Sequence, residues 1–247
     1  MALFEATHIH KRFGSRVVLE DISLSFEEGQ VTGIMGPNGA GKTTCFNVLT
    51  GRYAPDRGDI RLRGQSIAGL APQRIARLGV SRSFQIMSLF DDYTVIENVM
   101  IALPEFRARR QAMFASAFAS PALIDAAEEI LEQVGLQDQA WEPCTRLSYG
   151  DRRALEIGIA LAARPRILFL DEPTSGLGAE ATRRLARLIQ HLRQRYTIVM
   201  IEHDMRFLFD LADRILVIHW GQVIAEGTPS ELGQNKWVQR SALAELA

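Results

Sequence analysis

The run Gly36-Pro-Asn-Gly-Ala-Gly-Lys42-Thr43-Thr44 constrains this chain more than any other feature. An apolar stretch, Val31–Met35, leads into it, and a stretch of helical character, Lys42–Leu49, leads out and stops at Thr50-Gly51. Glycines at 36, 39 and 41 remove side chains where backbone N–H groups must converge. The helix starting near Lys42 aims its first amides and its partial positive charge at the same point. A turn of this kind between a strand and a helix is a polyphosphate cradle. Its candidate contacts are Gly36, Asn38, Gly39, Gly41, Lys42, Thr43 and Thr44, with Lys42 reaching the outer phosphates and the Thr43 hydroxyl a divalent cation.

The rest of the chain supplies a setting for such a cradle. Leu3–His8, Ile22–Phe26 and Ile60–Arg63 read as short strands, the second alternating apolar Ile22, Leu24 and Phe26 with Ser23 and Ser25. From about Thr94 to Ala163 the pattern turns helical, punctuated by Pro104, Pro121 and Pro143. Strands return at Ile167–Leu170, Thr197–Ile201 and Arg214–His219, separated by helical Ala179–Gln194 and Met205–Leu211. Strand–helix alternation of this kind predicts a parallel sheet with helices on its faces. Val217–Glu226 reads as a hairpin turning at Trp220-Gly221. The expected fold class is α/β, one domain over 1–247 carrying a helical insertion.

Charge argues against one class of function. The formal net charge is −1, which provides no basic field for nucleic acid. Cys45 and Cys144 form neither a metal-ligand spacing nor a disulfide framework. No apolar run reaches the roughly 18 residues a membrane span needs, and the first residues lack the apolar core of a secretory signal. The expectation is a cytosolic protein that meets the membrane only through partners.

A second half of the phosphate site lies far downstream. Ile167–Leu170 is a buried-strand run ending in Asp171 and Glu172. Asp171 at the strand tip is placed to hold Mg²⁺, usually through water, and Glu172 to orient and polarise an attacking water.

Phosphate cradles serve kinases, GTPases, helicases and transporters alike, so the remaining motifs decide. Leu147-Ser148-Tyr149-Gly150-Asp151 stands upstream of the Asp171 strand and resembles the signature motif of ABC ATPases, with an aromatic at its third place. Gln85 matches the family's Q-loop, His203 its switch histidine, Phe13 its adenine-stacking aromatic, and Pro173–Leu177 its D-loop. Singly, Phe13 would read as core, Gln85 as a loop amide and His203 as a strand-end histidine. Their order along the chain is what carries the resemblance.

That resemblance implies a P-loop ABC ATPase with a RecA-like core, an antiparallel β subdomain and an α-helical subdomain inserted at about 87–163. It implies ATP and Mg²⁺ as cofactors, with Thr43, Gln85 and Asp171 toward the metal and Glu172, His203 and Lys42 catalytic. Two ATPase subunits, identical or different, would close head to tail, so that Ser148 and Gly150 of one meet the nucleotide of the other. The implied partners are this second subunit, transmembrane permease subunits that hold the protein on the inner face of the membrane, and indirectly a solute-binding protein. Arg82–Gln85, Leu89-Phe90, Thr94–Asn98 and Glu226–Pro229 look like ATPase subunits of branched-chain amino-acid and urea importers. Lipopolysaccharide-export ATPases share part of this pattern. A soluble DNA-repair relative would need a long coiled coil between cradle and signature, and a translation factor two cassettes. One position departs from the family: Gly178 stands where the D-loop normally carries an acidic residue.

Overall fold

The structure, a computed structural model, describes residues 2–83, 89–108 and 118–235. Strands β1 (Ala2–Phe13), β2 (Arg16–Glu27), β4 (Arg57–Leu62) and β5 (Gln65–Ser66) make an antiparallel sheet in the order β2-β1-β4-β5. A six-stranded sheet runs β10-β9-β3-β8-β7-β6, from β3 (Val31–Met35), β6 (Val80–Arg82), β7 (Ile167–Asp171), β8 (Thr197–Ile201), β9 (Arg214–His219) and β10 (Gln222–Gly227). Its pairings are parallel except for the β9–β10 hairpin, which turns at Trp220-Gly221 as the sequence predicts.

Every residue of β3, β7 and β8 is buried. Parallel strands covered on both faces need continuous apolar runs, which is what these segments carry. Side chains alternate between two cores, as the pleat requires. Leu168, Leu170, Ile198 and Met200 face the helices α3 (Val95–Ala102), α5 (Pro121–Val134) and α6 (Tyr149–Ala162), together with α7 (Ala179–Leu192) and α8 (Met205–Leu211). Ile167, Phe169, Val199 and Ile201 face the antiparallel sheet and α1 (Lys42–Leu49). There Phe169 meets the rings of Phe46, Phe4 and Phe26 with centroids 5.1, 5.6 and 5.9 Å apart. Each such burial is worth roughly 1.5–3 kcal/mol, and Phe46 anchors the helix that follows the cradle.

Short helices α2 (Pro72–Arg77), α4 (Pro104–Ala108) and α9 (Pro229–Gly233) complete the set that bears on the site. The first strand extends to Phe13 rather than stopping at His8, and the second begins at Arg16 rather than Ile22, through β-bulges where His8 and Asp21 take positive φ. The bulges break the period-2 pattern, so alternation alone loses the strand. β6 is only three residues long, too short to show any periodicity.

Candidate nucleotide site

The sheet order brings several of the predicted residues together. β3, β8 and β7 are adjacent and parallel, so the segments leaving their C-terminal ends share one edge of the sheet. Those segments are the Gly36–Thr44 loop, the stretch reaching His203, and the Asp171-Glu172 pair. Open α/β sheets bind ligands at this edge. A cleft of about 270 Å³ lies there, lined by Phe13, Arg16, Val18, residues 38–44, Glu172 and His203.

The cradle is held from below. A Cβ on Gly36, at φ 148°, would sit 2.0 Å from the Ile218 carbonyl, and one on Gly41, at φ 101°, 2.9 Å from the Val18 carbonyl. Both positions therefore need glycine for conformation and for space. Lys42 is buried, and its Nζ donates to the carbonyls of Gly36 and Pro37 at 2.7 and 3.0 Å. Its charge is thereby fixed over the loop rather than swinging in solvent. Phe13 presents a half-exposed ring to the cleft, in a T-shaped contact with Tyr53 whose ring centroid is 5.2 Å away.

Glu172 takes a left-handed backbone, φ 47°, which costs a non-glycine residue about 1–2 kcal/mol. Its side chain points to His203, with Oε1 3.1 Å from Nε2. Asp171 is buried, and its Oδ2 accepts from Arg82 Nη2 at 2.5 Å. Arg82 also donates to Asn47 Oδ1 on α1, which ties the cradle helix to the β7 tip. The second carboxylate oxygen, Asp171 Oδ1, is buried with no hydrogen-bond partner. An orphaned carboxylate oxygen at a phosphate site fits a hard cation or its bound water.

Ser148 and Gly150 do not line the cleft. Ser148 caps α6, accepting from the Asp151 N–H at 3.2 Å. Tyr149 is half-exposed and donates its hydroxyl to the Ser175 carbonyl at 3.2 Å, so the signature motif rests on the D-loop of its own chain. Gly178 caps α7 without a side chain, and a Cβ there would meet nothing within 4 Å. Its small size is therefore not a steric requirement. Gln85 lies outside the described residues.

Sequence reasoning missed four groups. Arg16 lines the cleft, yet no motif or period singles it out. Arg82 and Arg153 reach the Asp171-Glu172 segment from β6 and α6. Glu202 accepts from Thr174 N–H and hydroxyl at 2.8 and 2.9 Å and from the His203 N–H at 3.0 Å. Burial pushes the Glu202 carboxyl above its usual range, against the pull of those hydrogen bonds. Its place beside His203 in the sequence was the available signal.

A family model for ABC transporters matches residues 19–175. The chain belongs to the ABC transporter family. It is 41% identical over 243 residues to the high-affinity branched-chain amino acid transport ATP-binding protein LivG of Salmonella typhimurium, covering 95% of this chain and 94% of that one. Identity to the lipopolysaccharide export system ATP-binding protein LptB of Escherichia coli is 33% over 246 residues, covering 99% and 98%. The solved ADP conformation of MJ1267, an ATP-binding cassette of an ABC transporter, superposes with a TM-score of 0.87 at 27% identity, covering 98% of this chain and 99% of that one. As an ABC ATPase, this chain binds ATP and hydrolyses it to power a membrane transporter. No described helix is long and apolar enough to cross a membrane.

Proposed function

We propose that this chain is one of two ATPase subunits that close around ATP to drive an importer of branched-chain amino acids or related small solutes. The observation that carries the two-subunit reading is the separation within one chain. The cradle, Glu172 and His203 meet at one cleft, while Ser148 and Gly150 lie off it on the N-terminus of α6. The signature motif then serves a nucleotide held by the other subunit, where the Ser148 hydroxyl and the first amides of α6 complete the γ-phosphate site. The cargo reading is supported by the higher identity to LivG than to LptB, 41% against 33%.

In the catalytic reading, Lys42 neutralises the outer phosphates, Glu172 accepts a proton from the attacking water, and His203 holds that carboxylate and the γ-phosphate in register. Thr43 and Asp171 would hold Mg²⁺, joined by Gln85 on the family pattern. The cation would supply charge neutralisation between the phosphates.

The permease is expected at the segment before α3. Asn98 is buried and fixes the Phe90 backbone from both sides, accepting from its N–H at 2.8 Å and donating to its carbonyl at 3.0 Å. Leu89 packs against the helical core, while the Phe90 ring stays half-exposed. The sequence also offers Met87 as a lining residue of an apolar groove here, and it lies outside the described residues. An aromatic held out on a fixed backbone is suited to anchor a short helix of the permease. Phe90→Ala is expected to abolish copurification of the permease and uncouple transport, while ATP affinity stays unchanged and stability falls by about 1 kcal/mol or less. A large drop in thermal midpoint, or undiminished permease capture, refutes the anchor. The cargo is tested by solute uptake in cells carrying the whole transporter: leucine, isoleucine or valine uptake that depends on this subunit is the expected result, and uptake indifferent to its deletion overturns the assignment.

A further inference from the structure

The side chain that best explains the geometry of Glu172 is Arg153, on the signature helix of the same chain. Arg153 is among the largest fully buried side chains of the protein. Its guanidinium works in three directions. Nη2 donates to the Glu172 carbonyl at 2.9 Å, Nε to the Pro173 carbonyl at 3.1 Å, and Nη1 to Glu156 Oε2 at 2.8 Å. Glu156, one turn along α6, is buried with it.

Burying this ion pair has no evident value for stability, because an apolar pair of similar volume does as well or better in most interiors. The fork has a geometric use instead. A guanidinium is planar and rigid, and it can hold two successive carbonyls at fixed angles where a lysine offers one point charge. The carbonyls it holds belong to Glu172, the residue in the left-handed conformation, and to the proline that follows it, which narrows the choices of Glu172 further. On the other side, the Glu172 N–H donates to the Ile201 carbonyl on β8 at 3.0 Å. Both peptide groups of Glu172 are thus gripped, one from the central sheet and one from α6. The carboxylate leaving that clamped backbone lands on His203.

We propose that Arg153, oriented by Glu156, is a positioning residue for the catalytic carboxylate. It sets the backbone of Glu172 so that the side chain projects into the cleft. The same helix begins at Ser148, and Tyr149 on its first turn holds the Ser175 carbonyl. α6 thus holds the 172–175 segment through its backbone carbonyls, and the signature motif and the catalytic carboxylate of one subunit move as a unit. The inference rests on the reading of Glu172 as the group that activates water.

The experiment uses the full-length chain with single-turnover and steady-state ATP hydrolysis. Arg153→Met/Glu156→Leu removes the pair without leaving a lone buried charge, and Arg153→Lys keeps the charge but loses the fork. The double variant is expected to lose at least about tenfold in kcat, since small misplacements of a reacting group are costly. Its KM and ATP affinity should stay within about threefold, because nothing is removed from the cradle. The lysine variant should fall between it and the wild type, and it carries the test if the apolar pair does not fold. Combined with Glu172→Gln, either change should cost nothing further, whereas a general structural role makes the losses add. Wild-type kcat in a folded Arg153 variant, or additive losses, overturns the proposal. Should Glu172→Gln alone hydrolyse ATP normally, the reading of Glu172 itself falls, and that outcome is distinct from an inert Glu172→Gln beside an active Arg153 variant.

Discussion

Glu172→Gln yields a protein that binds ATP with near-native affinity and turns it over far more slowly. The substitution keeps the shape of the side chain and leaves the clamped backbone untouched, including the Arg153 and Ile201 hydrogen bonds. An amide can still hydrogen-bond His203 and a water, but it cannot take a proton. General-base assistance contributes roughly 10²–10⁴-fold, so kcat should fall by at least about a hundredfold. Binding is expected to survive because Phe13 and the 38–44 loop, which line the rest of the cleft, are unaltered. With hydrolysis so slowed, ATP remains as the bridge between subunits. Gel filtration with ATP should therefore show a dimer that the wild type populates only transiently. Hydrolysis at a near wild-type rate removes the role assigned to Glu172, and a purely monomeric variant in saturating ATP removes the two-subunit reading.

Lys42→Ala acts on the other side of the reaction and should lose both affinity and turnover. The ammonium is held over the loop by the carbonyls of Gly36 and Pro37, so it meets phosphates without first being immobilised. A charge-assisted hydrogen bond in such a setting contributes about 1.5–3 kcal/mol, which corresponds to affinity about ten- to a hundredfold weaker. Alanine also takes the ammonium away from the Gly36 and Pro37 carbonyls, of which Pro37 keeps the Ala40 N–H. Lys42→Met keeps most of the bulk, and comparison of the two separates loss of charge from collapse of the loop. Both should be inactive. Equilibrium binding of a fluorescent ATP analogue is the measurement, and unchanged affinity together with unchanged turnover refutes the assignment.

The two variants separate chemistry from binding because the fold separates their supports. Lys42 is positioned by its own loop, within six residues. Glu172 is positioned by contacts to residues 19 and 31 positions away, Arg153 and His203. The first kind of site is written in a short sequence, and the second is assembled by packing.

That contrast divides what could be read from the chain. The sequence by itself determined the cradle, because strand, glycine turn and helix are local structures with local signatures, and Gly36 and Gly41 sit where no other residue fits. It determined the central strands through the unbroken apolar runs that two-sided burial demands, and it placed Glu172 and His203 as the residues following two of them. It did not reveal β6, whose three residues carry no period, and so it missed Arg82, which reaches Asp171 across 89 residues of chain. Nor did it distinguish Arg153 from Arg152 beside it. On sequence grounds both are charged residues near a helix start, yet one meets Asp91 at the surface and the other is buried against the Glu172 carbonyl. Which arginine turns inward is decided by the face that α6 presents to the D-loop. That face is fixed only when α6 packs against the strands and helices of the core, because a helix has no inside until something lies against it.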